Sequence, residues 1–128
     1  MTKGDPYKNV TKFKAKRVEA KTPCGTMFII GNYDYDNPDK LIQTHVYLNK
    51  SYNAHPCMKC LLEGISRLVS LCLRRGIPIS AVIEELSGLR CNYAKEELAQ
   101  NVNVSCCHAF ANALRRLRCW NHEEKEDG

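Results

Sequence analysis

The sequence predicts an α+β domain in which an antiparallel, hairpin-based sheet carries about three helices on one face. Three observations lead there. Residues 24 to 49 hold two extended apolar runs separated by a turn signal. Residues 56 to 118 hold helix-like apolar periodicities punctuated by proline, glycine and serine. Strands come first and helices after, which favours segregated layers over an alternating α/β fold. At 128 residues, the chain has the length of one domain and can bury a core without covalent staples.

Residues 1–20 read as a basic arm or strand, with Val10, Phe13, Val18 and Ala20 as the few apolar positions of a strand over residues 10 to 21. "CGTMFIIGNYDY", from Cys24, is a stronger strand. It is apolar on both faces, which suits a covered central position. "DNPD", residues 36 to 39, is a turn. "KLIQTHVYLN" completes the hairpin, with Ile42, Val46 and Leu48 on one face.

The first helix starts at Pro56 and stops at Gly76. Leu61, Leu62, Ile65, Leu68, Val69, Cys72 and Leu73 form one apolar stripe, with Arg67, Arg74 and Arg75 off it. "ISAVIEELSG" is a second, short helix with Ser80 as N-cap and Gly88 as its stop. Residues 91 to 104 read as a polar loop in which "AKEELAQ" can add a helical turn. Ser105 caps a third helix whose buried face is Ala109, Phe110, Ala113, Leu114 and Leu117. Cys106 and Cys107 open it and project at different angles, so their environments should differ and at least one should be buried. The acidic end, residues 121–128, reads as a disordered tail.

No apolar run approaches the roughly 20 residues a membrane span needs, and the basic N-terminus lacks a secretory h-region. The expected location is the cytoplasm. There, eight cysteines argue against a disulfide framework. The formal charge of +5 favours anionic partners. For metal, Cys57 and Cys60 form a CxxC with Cys91 and Cys106 as distant partners. That is an incomplete zinc pattern, because the second pair of thiols is adjacent rather than spaced. The expectation is no resident metal or cofactor, with structural zinc as the alternative. A cysteine at a helix N-terminus has a lowered pKa and could act as a nucleophile. However, His108 follows directly in sequence and cannot pair with it well, and no second motif supplies an oxyanion hole. The expectation is therefore a protein that is not an enzyme.

Three stretches then resemble a known family: "TPCGTMFIIGNYD", "GISRLVSLCLRRGIPISAVIEELSGLRC" and "SCCHAFANAL". Their order and spacing are similar to those of the TSCPD domain, which closes many adenosylcobalamin-dependent ribonucleotide reductases and also occurs alone. The matching positions are Thr22, Cys24 and Gly25; Leu73, Arg74 and Gly76; Leu86, Gly88 and Cys91; and Ser105, Cys106, Ala109, Ala111, Ala113 and Leu114. On this resemblance residues 21–120 are the TSCPD-like domain. The family's Pro-Asp is Cys107-His108 here, which removes an anion favourable to the helix N-terminus. The reductase barrel is absent, so the resemblance implies a fold and a nucleotide connection rather than reductase activity.

In size and layout the chain is also similar to phage anti-defence sponge proteins of the Thoeris-inhibiting family. That likeness implies a non-catalytic, homo-oligomeric binder of cyclic ADP-ribose-type or cyclic oligonucleotide signals, working in a host cytoplasm. The alternative is a detached accessory domain of a ribonucleotide reductase. The residues expected to hold such a ligand are Arg67 and Arg75, Arg90 and Asn92 after the Gly88 turn, and Arg115, with Phe28 or Tyr93 as an aromatic lid. Aromatics between lysines could also stack bases, but no recognised nucleic-acid motif is present, which argues against a DNA or RNA partner.

Overall fold

A computed structural model describes residues 12–50, 52–53, 56–90 and 105–118. Asn92, Tyr93, Cys91, the "AKEELAQ" turn and the acidic tail lie outside the described residues. Three strands, β1 (Phe13–Thr22), β2 (Gly25–Asp34) and β3 (Leu41–Leu48), form an antiparallel meander in the order β1-β2-β3. Among the described residues three helices follow: α1 (Cys57–Arg74), α2 (Ile79–Leu86) and α3 (Cys106–Leu117). This is the α+β arrangement expected. The basic strand pairs with β2 along its whole length, from Phe13 opposite Asp34 to Thr22 opposite Gly25.

The "TPCG" stretch is the β1–β2 turn. The Thr22 hydroxyl oxygen accepts from the backbone N–H groups of Cys24 (3.0 Å) and Gly25 (3.1 Å), and its proton goes to the Gly25 carbonyl (2.7 Å). Thr22 thus satisfies the turn's backbone locally, as hydroxyl residues do in tight turns.

Val18, Ala20, Met27, Ile29 and Tyr33 face the helices and are buried. β2 is not covered on both faces as its apolar pattern suggests. Its other face keeps Phe28 and Ile30 half-buried, with the Arg17 guanidinium 4.7 Å over the Phe28 ring. A cation over an aromatic face partly replaces the missing layer. In β3 a register shift opposite Asn32 and Tyr33 lets both Leu41 and Ile42 bury, whereas strict alternation would bury only one.

α3 lies over β1 and β2. A Cβ at Gly31 would come within 2.8 Å of Leu41 Cδ1 and 3.2 Å of Leu117 Cδ2, so glycine there lets the helix approach the sheet. The Tyr33 hydroxyl donates to the Leu117 carbonyl at 2.6 Å, closing the end of α3 from inside the core. At its start, Ser105 Oγ accepts from the His108 N–H at 2.9 Å, as the sequence predicts. Cys106 is buried and Cys107 half-buried, also as predicted.

Two helix expectations fail. Ser80 does not cap α2; Pro78 stands at the N-cap and Ser80 is already helical. A proline there ends the preceding extended segment by itself and leaves no role for a hydroxyl. In α1 the apolar stripe divides. Leu62, Val69 and Leu73 are buried, but Leu61 and Leu68 face outward, and Ser66 and Ser70 are buried instead. The reason lies on β3, described next.

Candidate functional site

α1 lies against the free edge of β3, and a hydroxyl clip closes it there. The Thr44 N–H donates to Ser70 Oγ (2.9 Å), and the Ser66 hydroxyl donates to the Thr44 carbonyl (2.8 Å). Thr44 Oγ1 lies 2.9 Å from Ser66 Oγ, and the Ser70 hydroxyl donates to the Ser66 carbonyl (2.9 Å). Buried backbone groups must find partners. Here two serines, four residues apart on one helix face, stand in for a fourth strand at this point of the edge. That requirement turns α1 so that Ser66 and Ser70 point inward and Leu61 and Leu68 point out.

Above the clip, β3 and α1 enclose a groove of about 650 Å³, within the size range of small-molecule sites. Gln43, His45 and Tyr47 line its β3 wall, and Lys59, Glu63, Arg67 and Arg74 line its α1 wall. Arg67 makes an exposed ion pair with Glu63 at 2.9 Å, worth about 0–1 kcal/mol. Three cations against one acid leave the groove positive. Tyr47, 56% exposed, presents an aromatic face beside them.

A second hollow, of about 340 Å³, lies between α2 and α3 and is lined by Ser87, Glu84, Arg115 and Arg118 among others. The Arg115 guanidinium donates to Ser87 Oγ (3.1 Å) and to Asn112 Oδ1. Beside it, the Gly88 N–H donates to His108 Nδ1 (2.9 Å). Burial lowers the His108 pKa from its ordinary value, and the Arg115 charge adds to the shift. The Gly88 bond acts in the same direction, because it needs a free lone pair on Nδ1.

The cysteines of the "TPCG" turn and the α3 start meet at Tyr52. The Tyr52 hydroxyl lies 2.7 Å from Cys106 Sγ. Burial, then the hydrogen bond to Cys106 and the neighbouring thiols, raises the Tyr52 pKa far above its ordinary value. Burial, with the nearby Cys106, also raises the Cys107 thiol. The Cys107 thiol is thus shifted in the direction opposite to the lowered pKa that a helix N-terminus favours. Among the described residues no group of three metal-ligating side chains converges. Cys57 and Cys60 are exposed on α1, while Cys106 is buried at the start of α3.

The residues expected to hold a ligand do not come together. Arg67 lines the groove, Arg115 belongs to the α2–α3 hollow, and Phe28 sits on the open sheet face under Arg17. Arg75 does not share Arg67's wall. It is the C-cap of α1, and eight residues on a 3.6-residue helix carry it well around the axis. Arg90 is exposed just past α2. The groove also holds Arg74, which the sequence places off the apolar stripe of α1, and Lys59, His45 and Tyr47, which were not among the expected residues. Their signal was available: Lys59, Glu63, Arg67 and Arg74 share the polar face of α1, and Gln43, His45 and Tyr47 alternate along the polar side of β3.

A family model, the TSCPD domain, matches residues 5–118. The chain belongs to the TSCPD domain family, a domain found in ribonucleotide-reductase-related proteins. No curated protein and no solved structure matches it significantly.

Proposed function

We propose that the chain is a non-catalytic binder of a nucleotide-derived anion, held in the β3–α1 groove. The observation that carries this is the convergence of Lys59, Arg67 and Arg74 with Tyr47 in one groove of ligand size. Guanidinium groups recognise phosphate by short, directional hydrogen bonds, and an exposed tyrosine offers a base a stacking face. The groove's groups are suited to holding charge. In its finer form the reading is a phage anti-defence sponge that sequesters cyclic ADP-ribose-type or cyclic oligonucleotide signals, supported by similar size and layout.

The second reading is a detached accessory domain of a ribonucleotide reductase, favoured by family membership. Calorimetry with cyclic ADP-ribose isomers and cyclic di- and trinucleotides separates the two. Saturable binding to one of them, lost in Arg67→Ala, supports the sponge. Silence across the panel, together with capture by a reductase subunit, supports the accessory domain.

A further inference from the structure

The cysteines divide by environment. Cys24 and Cys106 are buried, Cys72 and Cys107 are half-buried, and among the described residues only Cys57 and Cys60 are exposed. These two belong to one turn of helix. α1 begins at Cys57, so both thiols stand in its first turn. Met58, between them in sequence, packs against the core, and Leu62, four positions further on, is buried. Cys57 and Cys60 therefore fall on the outer side of that turn, with the exposed Leu61.

Helix geometry fixes their separation. Residues three apart have Cα atoms roughly 5 Å apart, from a rise of about 1.5 Å per residue and about 3.6 residues per turn, and their side chains share a face. Disulfides span Cα separations of about 4.4–6.8 Å. The two sulfurs can thus meet by side-chain rotation, with little movement of the backbone. The surroundings suit a thiol–disulfide reaction. No side chain caps the start of α1, and no acid stands in its first turn. The charged residue there is Lys59. Helix N-termini and neighbouring cations favour the sulfur anion that attacks a disulfide.

We infer that Cys57 and Cys60 form a dithiol–disulfide exchange site whose substrate is a low-molecular-weight disulfide of the glutathione type. The Cys57 sulfur, at the first helical position, attacks one sulfur of that disulfide as a thiolate. A new S–S bond forms and the old one breaks. One small thiolate leaves with the bonding pair and takes up the proton that Cys57 gave. The Cys60 sulfur then attacks the Cys57 sulfur, closes the protein disulfide and expels the second small thiolate, which is protonated in turn. Two protein thiols are oxidised by two electrons, and one disulfide is reduced to two thiols. The loop closed this way runs only from Cys57 to Cys60, so it removes little freedom from the unfolded chain. Exposed disulfides with so little stabilisation are the labile ones, and an excess of small thiol reopens this one. The chemistry is independent of ligand binding in the groove.

Trypsin makes the bond readable. It cuts after Lys59, between the two cysteines, and after Lys50 and Arg67. A Cys57–Cys60 disulfide therefore leaves peptides 51–59 and 60–67 joined. The folded full chain is reduced, exposed to oxidised glutathione, quenched with acid, alkylated, digested and analysed by mass spectrometry. The joined peptide should appear, and should revert to two alkylated peptides when reduced glutathione is in excess. Cys60→Ser removes the resolving thiol, so glutathione should accumulate on Cys57 to about tenfold or more above the wild type. Because the position is exposed, this variant should keep the wild-type circular dichroism spectrum and urea midpoint. Absence of the joined peptide at every glutathione ratio overturns the proposal. So does preferential joining of Cys57 or Cys60 to any other cysteine. A folded Cys60→Ser that carries no glutathione on Cys57 overturns the order of attack.

Discussion

The start of α3 and the β3–α1 groove are built from opposite materials. At the α3 start and the β1–β2 turn the groups are neutral and satisfied at close range: Tyr52 pairs with Cys106, Ser105 accepts from the His108 N–H, and Thr22 accepts from the Cys24 N–H. Two of those hydroxyls close a turn and a helix end. In the groove the floor is a hydroxyl clip of the same kind, but the walls are long charged side chains open to solvent. Of the residues that carry the TSCPD resemblance, Thr22, Cys24, Gly25, Ser105 and Cys106 gather in the first region, whereas Arg74 stands on the groove wall. Those suited to holding a ligand gather in the second. Most of the family signature thus marks how the domain is assembled, and only Arg74 of it reaches the charged groove. The contrast predicts that substitutions in the clip and at the α3 start change stability, and that substitutions on the groove walls change binding.

The largest effect should come from the groove's floor. Replacing both Ser66 and Ser70 with alanine strands the Thr44 N–H and C=O at a buried edge. Each unsatisfied group costs about 1–3 kcal/mol, so the double variant should unfold at markedly lower urea, as read by circular dichroism. A loss below half a kcal/mol in total would mean that water reaches the edge, and that the clip does not set the turn of α1. Next come the walls. Arg67→Ala and Arg74→Ala should each weaken nucleotide binding by about 1.5–3 kcal/mol, the range for hydrogen bonds to charged groups, while leaving the urea midpoint in place. A fall in stability equal to the fall in affinity would erase the distinction between floor and walls.

At the α3 start, Ser105→Ala should cost about 1 kcal/mol, the usual worth of an N-cap, with affinity unchanged. The smallest effect should be the pH dependence from His108. Its folded pKa lies below its ordinary value of 6.5, so below that pH the unfolded chain binds the proton more readily. The contribution of neutral His108 is complete above pH 6.5 and is lost as pH falls from there toward the lowered folded value. Urea midpoints between pH 7.5 and 5 should show this slope in the wild type and a shallower one in His108→Gln. Equal slopes would remove the Gly88–His108 bond from the account.

Much of the fold was legible because local chemistry and tertiary structure agree. Ser105, Gly88 and Gly76 mark helix ends, and Gly76 and Gly88 adopt the positive φ angles (88° and 82°) that favour glycine after a helix. The face of α1 was less legible. Leu61 and Leu68 are more apolar than Ser66 and Ser70, and hydrophobic periodicity alone ranks them as core. Only the unpaired edge of β3, a long-range feature, makes two hydroxyls worth burying. The same holds for β2, where Phe28 and Ile30 suggest a covered face but Arg17 takes the place of a layer. The grouping of the charged residues was the least legible. Arg67 and Arg115 look equivalent in a basic chain, and only the packing of α1 on β3 and of α2 on α3 sends them to different hollows.

The central claim is that the β3–α1 groove holds the ligand, and amide chemical-shift mapping tests it most directly. A ¹⁵N-labelled sample titrated with the cyclic nucleotide panel should show saturable shifts confined to Gln43 through Leu48 and to Lys59 through Arg74. The amides of Ser87, Gly88 and Arg115 should stay in place. Shifts centred on Ser87, Gly88 and Arg115, or no shift with any member of the panel, would contradict it.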